Sequence, residues 1–90
     1  LAVTYDPAKR DKTLTERQLD FAHADIVIEG AIFESPDDRN DYGETRIITV
    51  GFLKARMVIV VWTARGDDRH IISMRHAHAK EQRRYNTRLD

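Results

Sequence analysis

TRIITVGFL (Thr45–Leu53), RMVIVVWT (Arg56–Thr63) and RHIISMR (Arg69–Arg75) are three successive runs of apolar and β-branched residues, and their spacing decides the fold. Only Lys54 and Ala55 separate the first two, and the turn Ala64–Asp68 separates the second from the third. Links this short join antiparallel neighbours, so the three runs read as a meander. The longest apolar stretch, Met57–Trp62, suits one buried strand and falls far short of a membrane span.

Upstream of the meander the pattern changes. Ala2–Tyr5 reads as a short strand. Asp6-Pro7 then opens a polar helix over Pro7–Thr15, with Asp6 as N-cap and Pro7 in the first turn. Asp20 is a second N-cap, ahead of Phe21, Ala24, Val27 and Ile28 at helical spacing, and Gly30 ends that helix. Ala31–Glu34 forms a brief edge strand, and Ser35–Gly43 is an exposed acidic loop, an unfavourable place for phosphate. A last helix over about 78–88 follows the meander. Helices gathered early and strands late argue an α+β fold, a small antiparallel sheet with two N-terminal helices and one C-terminal helix.

The 90 residues make one domain, 1–90, with a single modest core. Without cysteine there are no disulfides, thiol nucleophiles or thiolate metal sites. The N-terminus lacks the layout of a signal peptide, so the expected location is cytoplasmic. Formal neutrality conceals an asymmetry: residues 1–45 carry five basic residues against eleven acids, and residues 46–90 carry ten against four. The basic half either faces a polyanion or pairs with the acidic half in the fold.

Five motifs, in order, resemble the BrnT family of toxins. Tyr5-Asp6-Pro7-Ala8-Lys9 is similar to the family's opening motif, and Phe21 with Ala24 sits where the family has its second helix. Asp41-Tyr42-Gly43-Glu44-Thr45-Arg46 resembles the segment leading into its central hairpin, and Val60–Asp67 its apolar strand ending in Thr-x-Arg-Gly-Asp. Ile71-Ile72-Ser73-Met74-Arg75-His76-Ala77, with Glu81 and Tyr85, resembles its closing strand and helix. Two positions depart from the pattern. Glu16-Arg17-Gln18 stands where the family usually has Lys-His-Gly, and His70 stands where it often has Arg. The resemblance implies a RelE-like fold and RNA cleavage without a cofactor. It also implies a cognate BrnA-like antitoxin that carries a DNA-binding domain and holds the toxin in a hetero-oligomer, with RNA as the substrate and no membrane partner.

RNA cleavage without a metal needs a base for the 2′-OH, a cation for the phosphorane and an acid for the leaving oxygen. Arg75 and Arg65 are the candidate phosphate clamps, because a guanidinium donates bidentately and stays charged. Arg75 can equally pair with Glu81 to tie the last helix to the sheet. Glu81 and Tyr85, four apart on that helix, share a stripe and offer a base and an acid or stacking ring. Tyr85 also suits half-buried packing. His76 joins them as a catalytic candidate, with His70 and His78 as other titratable groups. His76-Ala77-His78 has no third ligand of the usual type, so no metal site is expected. Lys9, Arg69, Ser73 and His78 are candidate RNA contacts. Strict alternation puts Arg69, Ile71, Ser73 and Arg75 on one face of their strand. Trp62 reads as core. A non-catalytic RNA- or protein-binding module that keeps the fold is the alternative, motivated by the altered triplet; no helix-turn-helix signature points to DNA.

Overall fold

Asp6 and Pro7 set the course of the N-terminal third. The structure, a computed structural model, describes residues 2–86; the expected end of the last helix, near Arg88, lies outside the described residues. Strand β1 (Val3–Thr4) ends early, because Pro7 has no N–H to continue a ladder. The Asp6 carboxylate instead accepts from the Ala8 N–H and starts α1 (Pro7–Arg17). Asp20 repeats the device, accepting from Ala22 N–H at the 3-10 turn Phe21–His23 that leads into α2 (Ala24–Glu29). It also accepts from Arg10 at 3.0 and 2.8 Å, which ties α1 to the start of α2.

The remaining elements are β2 (Phe33–Pro36), β3 (Ile47–Leu53), β4 (Arg56–Arg65), β5 (Asp68–His76) and α3 (Ala79–Asn86). β3, β4 and β5 form the antiparallel meander that their short links require. The β3–β4 turn is Lys54-Ala55, both at positive φ (52° and 64°), the backbone of a tight hairpin made here without glycine. The β4–β5 turn narrows to Gly66-Asp67, with Gly66 at φ 61°.

The expected small antiparallel, RelE-like sheet is corrected by the strand order β1-β5-β4-β3-β2. The sheet has five strands and is mixed, because β1 pairs parallel to β5. The two N-terminal helices and the C-terminal helix are present. A two-residue strand carries no local signal for its partner. What fixes its direction is α1, which continues the same course beside β5 until the Arg17 guanidinium reaches the Met74 carbonyl at 3.0 Å.

The sheet has an apolar cluster on each face. Leu53, Val58, Val60, Trp62, Ile71 and Met74 meet Phe21, Ala24, Val27 and Ile28 on the side of α1 and α2. Fully burying a ring such as Phe21 contributes about 2–3 kcal/mol. Gly51 allows α2 to close on β3, since a Cβ there would lie 2.5 Å from the Val27 carbonyl oxygen. On the opposite face Val50, Met57, Ile59 and Ala77 gather with Ile48, Phe52, Phe33 and Tyr85 of α3.

The strict alternation expected along β5 is also corrected. Val61 faces Ser73 while Trp62 faces Ile71, so Ile72 is an extra residue in a bulge. Cross-strand partners share a face. Arg69 and Ile71 therefore belong to the α1–α2 side, and Ser73 and Arg75 to the α3 side. This bulge positions the site.

Candidate active site at the end of β5

Beyond the bulge, β5 presents Ser73 and Arg75 on the sheet face that α3 only partly covers. His78 precedes α3, and Glu81 in its first turn accepts from the His78 backbone N–H at 3.1 Å, one half of a capping box. The same carboxylate takes the Arg75 guanidinium with both oxygens, at 2.7 and 2.8 Å. One turn on, Tyr85 packs on Phe33 with ring centroids 5.1 Å apart. Ser73, Arg75, Glu81 and Tyr85 then border one cleft of about 180 Å³, floored by Ile48, Ile59 and Val61.

A fifth residue at this cleft, Arg39, was not singled out in the sequence. It comes from the loop read there as unfavourable for phosphate. That loop's Asp37 is buried, and it grips Arg39 with two hydrogen bonds of 2.7 Å and accepts from the Tyr42 hydroxyl. The net effect is an acidic loop that delivers a cation to the site. Arg-Asn after two aspartates gives no periodic signal; only the fold brings Arg39 to β5.

The electrostatics follow from these pairs. Arg75 beside Glu81, with the His78 N–H adding to it, holds the Glu81 carboxyl down at about 2. Arg75 is raised in turn by Glu81. A carboxylate so held is a weak base and a strong anchor. His76 is half-buried, and burial, helped by Arg56, lowers its pKa below the ordinary 6.5. His76 faces away from the cleft, in a second recess shared by Arg17, Arg56, Arg75 and His78. Arg75 lies on the boundary of the two. The His78 Nε2 stands 3.1 Å from Glu81.

The other sequence candidates lie elsewhere. Arg65 is six residues along β4 from Ile59, the partner of Arg75, roughly 20 Å at about 3.3 Å per residue. It pairs with Glu44 at 3.5 Å. His70 bonds Thr4 Oγ1 at 2.8 Å, and its pKa is lowered by burial and then by Arg65. Arg69 pairs with Glu29 at 3.0 Å and stacks 5.6 Å over Trp62, so it serves packing. Trp62 is partly buried against the core and donates to Thr49 Oγ1. Lys9 is exposed on α1, in a recess with Ile72 and Ser73. Among the described residues, no three His, Asp or Glu side chains gather as a metal-ligand set, and no helix is long and apolar enough to cross a membrane.

This arrangement can hold an anion against Arg75 and Arg39 and set titratable groups beside it. Residues 5–81 match the model of a family described as the ribonuclease toxin, BrnT, of type II toxin-antitoxin systems. No curated protein matches the chain.

Proposed function

Because the chain belongs to the BrnT family of ribonuclease toxins of type II toxin–antitoxin systems, we propose that it is a metal-independent endoribonuclease whose scissile phosphate docks at Arg75. The observation that carries this reading is the convergence of Arg75, Arg39, Ser73, Glu81 and Tyr85 on one cleft. Glu81 uses one hydrogen on each Arg75 Nη. The Nε–H and the second Nη2–H are left to meet phosphate oxygens. Glu81 is thus a positioning residue, and its lowered pKa argues against a role as base.

The proposed step is attack of the ribose 2′-OH on the adjacent phosphorus. A bond forms from O2′ to phosphorus and the bond to O5′ breaks, leaving a cyclic phosphate and a 5′-OH. His76, kept neutral by burial and by Arg56, takes the O2′ proton on the recess side of Arg75. Tyr85, on the cleft side, returns a proton to O5′. Arg75 and Arg39 stabilise the charge that develops on phosphorus. In the cell, cleavage of RNA inhibits translation and growth in the cytoplasm. The antitoxin that a type II family implies is BrnA-like here, carries a DNA-binding domain and neutralises the toxin by binding it.

Purified protein incubated with RNA in the presence of EDTA should degrade it. Arg75→Ala should lower the rate by roughly 10²–10³, and Arg75→Lys should not restore it, since an ammonium lacks the two-pronged geometry. Antitoxin-free wild type that leaves RNA and growth untouched would show instead a binding module that keeps the fold without turnover.

A further inference from the structure

Among the described residues, β1 pairs with β5 only at Arg69 and His70, and beyond His70 no strand borders the outer edge of β5. α1 runs beside that open stretch. Its Lys9, Lys12 and Arg17 lie at i, i+3 and i+8, spread over one broad face of the helix. Lys9, Lys12 and Arg17 share a recess with Ser73. Arg17 continues into the recess of Arg56, Arg75 and His76. Both recesses include Glu16 and Arg17, so together they make one furrow from Lys9 to Arg75. Glu16 is the acid in it, against four cations besides Arg75.

We propose that this furrow is the track for single-stranded RNA, gripping backbone phosphates beside the one docked at Arg75. The inference rests on the ribonuclease reading above and names how that site holds its substrate. Lys9 and Arg17 are eight residues apart, about 12 Å along a helix, so the track meets more than one phosphate. Guanidinium and ammonium groups on an open edge suit a polyanion that needs no ladder hydrogen bonds.

An acidic protein strand pairing with the β5 edge fits less well. The Met74 carbonyl already accepts from Arg17 at 3.0 Å. The bulge at Ile72 also interrupts the regular edge that an added strand needs.

The test is fluorescence anisotropy with a fully 2′-O-methylated oligoribonucleotide, which binds without being cut, using wild type and Lys12→Glu. Lys12 is exposed, so the substitution leaves the fold intact. Affinity should drop roughly tenfold, and the plot of log K against log salt should become shallower by about 0.7 per lost phosphate contact. Cleavage of a dinucleotide, which spans only the Arg75 end, should be unchanged, while KM for long RNA rises and kcat holds. Unchanged affinity and salt slope would overturn the track. So would an oligoglutamate that displaces the probe as well as unlabelled RNA does, which would assign the furrow to an acidic protein segment. If Lys12→Glu weakens the probe while Arg75→Ala leaves cleavage intact, the active-site reading fails and the furrow stands.

Discussion

Glu81 holds Arg75 through both carboxylate oxygens, Nη1 to Oε1 at 2.7 Å and Nη2 to Oε2 at 2.8 Å, joining the end of β5 to the first turn of α3. The pair belongs to the site and to the fold at once. Removing Glu81 frees the guanidinium for phosphate and loosens the helix that carries Tyr85.

Acid should expose this linkage. The Glu81 carboxyl is lowered to about 2 from an ordinary 4.5. A depressed folded-state pKa gives stability that is full above the unfolded value and is lost as pH falls from about 4.5 toward 2. Asp20 beside Arg10 and Asp37 beside Arg39, each lowered from 3.8 to about 2, act with the same sign in the lower part of that window. Denaturant melts of Glu81→Gln should show a shallower loss over that range than wild type. At neutral pH the variant should be less stable by about 1 kcal/mol, a figure held down by solvent screening at Arg75. Identical pH profiles would mean that the pair contributes nothing in solution.

The pH–rate profile tests His76 separately. Burial and Arg56 lower its pKa, so a neutral base should already be available below pH 6.5. The acid limb of kcat/KM should lie there, and Arg56→Ala, which removes the second cause, should move it upward. An acid limb unmoved in Arg56→Ala and present in His76→Ala would assign the base elsewhere.

Gln18 closes α1 with φ 55°, its N–H donating to the Leu14 carbonyl. A side chain in this left-handed conformation costs about 1–2 kcal/mol, and glycine occupies it without that penalty. The triplet that the BrnT resemblance implies ends in glycine here, a residue that this backbone favours. Gln18→Gly should raise stability by about 1 kcal/mol, read as a higher melting temperature, and Gln18→Ala should not.

Periodicity and short links made the meander legible, and Asp-Pro and Asp-Phe made both N-terminal caps legible, because each is encoded within a few residues. Three features were not encoded that way. The parallel docking of β1 depends on where α1 runs. The bulge at Ile72 is a register choice between β4 and β5, and it becomes visible only when the two strands are paired. Arg39 reaches the cleft from a loop whose own composition points away from phosphate. Arg75 was a candidate for its guanidinium, Glu81 and Tyr85 for the helix stripe they share, and the fold brings the three to one cleft. Lys12 and Arg56 gained meaning only once β5 was seen to have an open edge.

The contact between α2 and β3 offers the sharpest packing test, because it depends on the absence of one carbon. The helix positions Phe21, Ala24 and Val27 form the core against which Ile71 and Met74 settle, and those residues flank the bulge that turns Ser73 and Arg75 toward the cleft. At Gly51 a Cβ would lie 2.5 Å from the Val27 carbonyl oxygen and 3.0 Å from its Cγ1. A backbone carbonyl cannot yield as a flexible side chain does, so α2 must move as a unit. Gly51→Ala should therefore cost roughly 1–3 kcal/mol, the range of overpacked cores. If α2 shifts and carries the bulge with it, RNA cleavage at a temperature where the variant remains folded should fall as well. Lost stability with full cleavage would instead show that β5 holds its register independently of the helix packed across it.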